Sequence, residues 1–349
     1  MKKFDYSFLI DGKLPASLVS ITASIYSLRT MSDTREDSYS EIFTELEKVA
    51  KVQSVKSSNE IEGIVTSDSR IAAIVNESSA PLSHDEQEIA GYRDALNAVH
   101  LGYNDMDLSE STILRLHEIM MSYTSYEFGG RFKTDDNVIL EIDSSGTRSV
   151  RFRPVPASET EAAMEQFILA YKEARDDAGV NQLLLIPCVI LDFLCIHPFR
   201  DGNGRISRLL SLLLMYKNGY DVGKYISFEE QINKFKPQYY EALKQSSGGW
   251  YENQNDYGPF MVNYLQTLYM CYKELDKRFA IVNGKKITKN ARIEATVLGS
   301  IAPISKNEIC KILPDVSPTT VEAVLGRMIK EGHIKKIGAG RATRYIKNN

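Results

Sequence analysis

Ile196 to Arg208 reads IHPFRDGNGRISR and directly follows an apolar run, Leu183 to Cys195, LLLIPCVILDFLC. A run with so little polarity is bound for the interior, yet the next dozen positions hold a histidine, an aspartate, an asparagine, two glycines and three arginines. Pro198 disfavours helix at the residue before it, so the chain is expected to turn at His197. The segment RDGNG tolerates unusual backbone dihedrals. GRISRLLSLLLMY then restarts as a helix, with Ile206, Leu209, Leu210 and Leu213 on one face. At about 100° per residue, Arg205 and Arg208 fall off that stripe and near one another.

A helix start of this kind favours an anion, because its free N–H groups, its dipole and a glycine loop that permits close approach act together. Arg205 and Arg208 add bidentate phosphate binding. Asp201 makes sense in so cationic a loop if it holds a divalent ion between phosphates. His197, at the lip, has the pKa range to take a proton from a hydroxyl. Each residue alone has a bland reading: a solvated arginine, a structural histidine, a plain turn. Their conjunction within twelve positions points instead to a nucleoside triphosphate, a metal and a base. No P-loop is present, the HExxH zinc pattern fails at Met121, and GNGRIS has Ser207 where a dinucleotide loop has its third glycine.

The string HPFRDGNGRISR resembles the motif HPFx(D/E)GNGRxxR of the Fic family, protein adenylyltransferases that move AMP from ATP to a hydroxyl side chain of a target. The resemblance implies a mainly α fold: a helical-bundle core over about residues 110–225 with a β-hairpin flap. It also implies that His197 is the general base, that Asp201 is a Mg2+ ligand, and that Gly202, Asn203 and Gly204 form an anion hole. Arg205 and Arg208 would grip the ATP phosphates. The flap, at about 132–140, would pair its edge with an extended target segment, the alternative being an ordinary surface hairpin. Tyr239 and Tyr240 resemble positions near the adenine pocket, with plain helix packing as the competing explanation.

Upstream, SSNEIEG, Ser57 to Gly63, fits the family's inhibitory pattern (S/T)xxxE(G/N) from Ser58 onward. By that likeness Glu62 pairs with Arg208 and withholds it from the γ-phosphate, a competition of two anions for one guanidinium. Some inhibited relatives also remove AMP with this glutamate. Two other functions stay open: a Fic-fold phosphotransferase that binds ATP reversed, whose loop has lysine where this chain has Gly204, and a DNA-binding regulator whose core only senses nucleotide.

The chain's 349 residues, 43% hydrophobic and 25% charged, suit two or three ordinary globular units. The N-terminal stretch lacks a signal-peptide core and no stretch is long enough to span a bilayer, so a cytoplasmic location is expected. Cys188, Cys195, Cys271 and Cys310 show no metal or redox spacing and read as buried thiols.

Four regions are expected: a helical region with the inhibitory helix (1–109), the catalytic core (110–225), helices packing on it (226–284) and a basic module (285–349). In the first, Ile42, Leu46, Val49 and Val52 mark a helix ending in small polar residues before NEIEGI, and Ser83 with Glu86 suggests a capping box at a second. In the second, short β-prone pieces at Asn137–Leu140 and Ser149–Phe152 suggest the hairpin.

The net charge of −4 conceals a tail, Lys285–Asn349, at +8. After a linker near 283–289, that tail reads as a short helix behind Ser305, a longer one from Ser317 or Pro318 to about Glu331, and a hairpin flanked by Lys335, Lys336, Arg341, Arg344 and Lys347. This resembles a winged helix-turn-helix, a module for DNA or for protein contact and dimerisation. A homodimer is also expected by likeness to the family.

Overall fold

The computed structural model describes residues 2–142, 148–283, 288–298, 300 and 303–348. The fold is mainly helical. Its first half runs α1 (Phe8–Asp11), α2 (Ala16–Ser38), α3 (Ser40–Ile61), α4 (Asp68–Glu77), α5 (His84–Gly102), α6 (Glu110–Met121), the antiparallel pair β1 (Ile139–Ile142) and β2 (Arg148–Phe152), and α7 (Thr160–Asp176). The second runs α8 (Gln182–Ile196), α9 (Asn203–Lys217), α10 (Phe228–Lys234), α11 (Lys236–Ser247) and α12 (Gly258–Asn283). It closes with α13 (Lys289–Leu298), α14 (Lys306–Ile312), α15 (Pro318–Lys330) and the hairpin β3 (Ile334–Ile337) and β4 (Arg344–Lys347).

Helix α8 is the axis of the core, buried at every position except Gln182 and Leu194, as a helix apolar all round must be. Each leucine or isoleucine withdrawn there contributes about 1.5–3 kcal/mol relative to an exposed one. α8 carries one charge, Asp192, which is fully buried and accepts from Tyr6 Oη (2.8 Å), Trp250 Nε1 (2.7 Å) and Tyr257 Oη (2.9 Å). Burial raises its pKa, against Lys2 and these three donors. The aspartate thus ties the N-terminal segment and the α11–α12 region onto the helix that delivers His197. Helix α9 packs back along α8, and α12 runs beside α2.

α3 does not stop at its small polar residues but continues through Ser57, Ser58 and Asn59 to Ile61. These side chains are buried, and their partners lie inside: Asn59 Nδ2 donates to the Val55 carbonyl, and Ser58 takes bonds from Arg208. Earlier in α3, Ser54 donates to the buried Glu229 of α10 (2.8 Å), which also accepts from Tyr92 (3.0 Å) and Ser227 (3.2 Å).

At the start of α5, Ser83 accepts from the Glu86 amide as expected, but the Glu86 carboxylate turns to Arg70, Thr66 and the Leu82 amide instead of closing a capping box. The first flap strand starts later than its β-prone residues suggested. Asn137 is drawn inward, donating to the Phe199 carbonyl and accepting from Lys133, so residues 132–138 are not strand.

Cys188, Cys195 and Cys271 are buried free thiols, while Cys310 is only partly covered. No described helix is long and apolar enough to cross a membrane. Towards the C-terminus, Ser305 and Glu308 complete the capping box of α14, and Ile304 bridges to Tyr345 of β4. Helix α14 packs against α3. Residues 284–287 of the expected linker lie outside the described residues.

Candidate active site

Helix α8 ends on His197, whose backbone adopts φ 52°, ψ 60°, left-handed and rare outside glycine. Its amide still donates to the Phe193 carbonyl (2.9 Å), and its Nδ1 lies 3.2 Å from the Leu194 carbonyl. A carbonyl only accepts, so Nδ1 carries the proton and Nε2 keeps a bare lone pair. Burial, with Lys133 and Arg151 nearby, pushes the imidazole down to about 4 against the opposing pulls of Leu194 and Glu62, so it is neutral at ordinary pH.

The loop after His197 is held by side chains at a distance in sequence. Lys133, 5% exposed, donates to the carbonyls of Ile196 (3.3 Å) and His197 (2.9 Å), and burial pushes its ammonium down to about 8. His117 stacks on Phe199 with ring centroids 3.8 Å apart. It accepts from the Gly130 amide at Nδ1 (3.0 Å) and donates from Nε2 to the Asp201 carbonyl (3.2 Å), which joins the 128–131 loop to this one. Asn203 spends its side chain on the amide and carbonyl of Phe199, at 2.9 and 2.8 Å.

Gly202 begins α9 at φ 81°, where an added Cβ would lie 2.5 Å from Met120 Cε. Its amide is taken by Asp201 Oδ1 (2.6 Å). Ile206 is the first residue of α9 whose amide bonds back, to Gly202 O, which leaves the amides of Asn203, Gly204 and Arg205 without helical acceptors.

A cavity of about 400 Å³ opens beside this helix start, lined by Glu62, Arg151, His197, Gly204, Arg208, Tyr239 and Tyr240 among others. Arg208, only 2% exposed, donates from Nε to Ser58 Oγ (2.8 Å) and from Nη2 to Ser58 O (2.9 Å) and Glu62 Oε1 (2.7 Å). Burial pushes the Glu62 carboxyl up, but Arg208, Arg205 and Lys236 together hold it below the usual carboxylate range. A Cβ at Gly204 would sit 2.3 Å from Glu62 Oε1, so this glycine is what lets the carboxylate reach across the mouth of α9.

Residues 107–215 match the Fic/DOC family. This stretch of the chain is similar to a Fic domain. The whole fold resembles the crystal structure of a Fic family protein from Desulfovibrio desulfuricans G20, at 19% identity over 96% of this chain and 97% of that one, with a TM-score of 0.63. A Fic-domain-containing signaling protein from Bacteroides thetaiotaomicron VPI-5482 is similar at 20% identity over 75% of this chain and 98% of its own, TM-score 0.56. Fic-1 from C. elegans is similar at 17% identity over 75% and 72%, TM-score 0.56. At such identities the likeness is one of fold.

Within this matched stretch, Arg205 turns toward α5 and not into the cavity, where the expected grip on phosphate would need it. It is 1% exposed, 2.7 Å from Glu88 Oε2 of α5 and 3.6 Å from Asp201 Oδ2, and it does not line the cavity. Glu88, a buried carboxylate on the facing helix, draws the guanidinium across the α5–α9 interface. Asp201, its side chain 55% exposed, does not line this cavity either but borders a separate recess with Phe128, Lys133 and Arg200. Tyr239 is buried and Tyr240 half-exposed, and both form cavity wall.

Lys133, His117, Glu88 and Arg151 carry no sequence signal of their own. Each is a lone polar residue in an otherwise ordinary segment, brought to the Fic motif only by tertiary packing.

Proposed function

We propose that the protein transfers AMP from ATP to a Tyr, Thr or Ser hydroxyl of a target protein and that Glu62 restrains this activity. The observation that carries the reading is the shared cavity: His197, Gly204 at the start of α9, Arg208 and the two tyrosines Tyr239 and Tyr240 all line one space. The attacking hydroxyl gives its proton to His197 Nε2 as its oxygen bonds the α-phosphorus. The bond from that phosphorus to the α,β-bridging oxygen breaks, and pyrophosphate leaves. Backbone amides at Asn203 and Gly204 receive the phosphates, and Tyr239 and Tyr240 flank the adenine. With catalysis resting on preorganised donors, loss of one such donor costs roughly 10² to 10³ in rate.

Asp201 is the residue that would hold Mg2+. One exposed carboxylate suits an ion that keeps most of its ligands as water and phosphate oxygen, and among the described residues no group of three or more ligating side chains offers a self-contained metal site. The ion would neutralise the departing pyrophosphate. Arg205 serves by fixing Asp201 and α9, and Arg208 becomes free for phosphate when Glu62 withdraws.

The test is incorporation of label from α-labelled ATP. Glu62→Gly should raise self-modification, and His197→Ala placed on top of it should return incorporation to background. Equal incorporation with and without Glu62 would refute the restraint, and undiminished transfer without His197 would remove its role as base. Label arriving from the γ-position instead would mark a phosphotransferase, and release of AMP from premodified target would show the reverse reaction.

For the region from residue 285 onward we propose a winged helix-turn-helix that meets nucleic-acid phosphates through its hairpin. The helix pair α14–α15, the Ile304–Tyr345 bridge and the β3–β4 hairpin support it. Arg344 pairs with Glu308, and Arg327 with Glu294 and Glu331, whereas Lys335, Lys336 and Lys347 have no ion-pair partner among the described residues. Duplex binding that weakens steeply with salt in a gel-shift would support this reading, and its absence at low salt would assign the module to protein contact.

A further inference from the structure

Arg151 is a cation in the cavity wall that the fold does not use. It sits on β2, where Ile139 pairs with Phe152 but Leu140 pairs with Val150, so Arg151 is the extra residue of a β-bulge. A bulge of this kind re-aims one side chain out of the strand's alternation. Here the re-aimed side chain lines the cavity that holds His197. Its Nη1 is buried with no hydrogen-bond partner, and among the described residues no carboxylate lies within ion-pairing distance of it. A guanidinium nitrogen shut away from water without an acceptor is costly, and an anionic ligand entering the cavity would remove that cost.

The position within the cavity selects the anion. Arg151 acts electrostatically on His197, Cys195 and Tyr240, and on Glu141 of β1, whose carboxylate is already paired with Lys244. Glu62 instead feels Arg208, Arg205 and Lys236. Arg208 is held at the start of α9 by Ser58 and Glu62, whereas Arg151 enters the same cavity from β2, with His197, Tyr239 and Tyr240 in the shared wall.

We propose that Arg151 binds the α-phosphate of the nucleotide, its guanidinium taking the non-bridging oxygens of the phosphorus that His197 exposes to attack. The proposal rests on the nucleotide reading of this cavity and goes beyond it by assigning the flap a direct hold on the transferred group, in addition to any docking of the target. It also means that AMP keeps a charged partner when Arg208 is occupied by Glu62.

The experiment measures binding of adenosine, AMP and ATP to full-length Glu62→Gly protein and to the same protein with Arg151→Gln or Arg151→Lys. A lost charge-assisted contact should weaken AMP and ATP about 10- to 100-fold. Adenosine affinity should stay unchanged, and lysine should recover part of the loss. Equal weakening of adenosine and AMP would show that Arg151 only supports the flap, and unaltered AMP binding would show that it touches no phosphate; either result overturns the proposal while leaving the nucleotide site standing. Failure of the Glu62→Gly protein itself to bind any adenine nucleotide would instead bring down the reading of the cavity.

Discussion

His197 and His117 are both held neutral by burial, each pushed down to about 4. The sign of the consequence for stability follows directly. Between about pH 4 and the ordinary imidazole value near 6.5, the unfolded chain binds protons that the folded chain refuses, so stability rises with pH across that window and falls as the solution is acidified through it. A buried neutral histidine contributes roughly 1.4 kcal/mol per pH unit there. Melting temperature should therefore drop between about pH 7 and pH 5, and His117→Gln, which keeps a donor for the Asp201 carbonyl, should flatten that slope. The same neutrality predicts that transfer in the Glu62→Gly protein stays level from about pH 7.5 to pH 6, where an unshifted imidazole would lose about three quarters of its basic form. Gly202→Ala is expected to cost at least about 1–2 kcal/mol from the left-handed backbone alone, read as a lower urea midpoint, with the overlap on Met120 adding to it.

At the scale of elements, α3 brings Ser58 and Glu62 to Arg208, and the buried Glu229, which accepts from Ser54, Tyr92 and Ser227, ties that helix to α5 and α10. Glu229→Ala would leave three buried hydroxyls without that acceptor. A loss of about 3 kcal/mol is expected from such orphaned groups, together with faster hydrogen exchange along residues 40–61; unchanged exchange there would show that α3 is pinned by apolar packing alone. The fate of this helix also shows what a sequence conveys. Its apolar spacing was legible, but its C-terminal end was not, since Ser57, Ser58 and Asn59 read locally as a helix stop and only their burial against other elements makes them helix interior. The flap behaved similarly: β-prone residues located a hairpin, while the pull of Lys133 and Phe199 on Asn137 moved the start of its first strand.

Across the whole molecule, the chemistry that could be read in advance lay in one contiguous loop whose residues meet because they are neighbours in the chain. Glu62 and Arg208 were the exception, joined beforehand only through the family likeness and here found 2.7 Å apart. The distant supports, Lys133, His117, Glu88 and Arg151, were invisible because a single long-range contact leaves no periodicity behind. Arg205 was misplaced for the same reason, its partner Glu88 lying more than a hundred positions away. One long-range contact joins the ends of the fold: α14 of the basic C-terminal region rests on α3, and α3 ends at Glu62. Thermodynamic linkage then constrains whatever the two regions bind. If a partner of the C-terminal helices displaces α3 and alters the affinity for nucleotide by some factor, nucleotide must alter the affinity for that partner by the identical factor, so either ligand can serve as the gauge for the other.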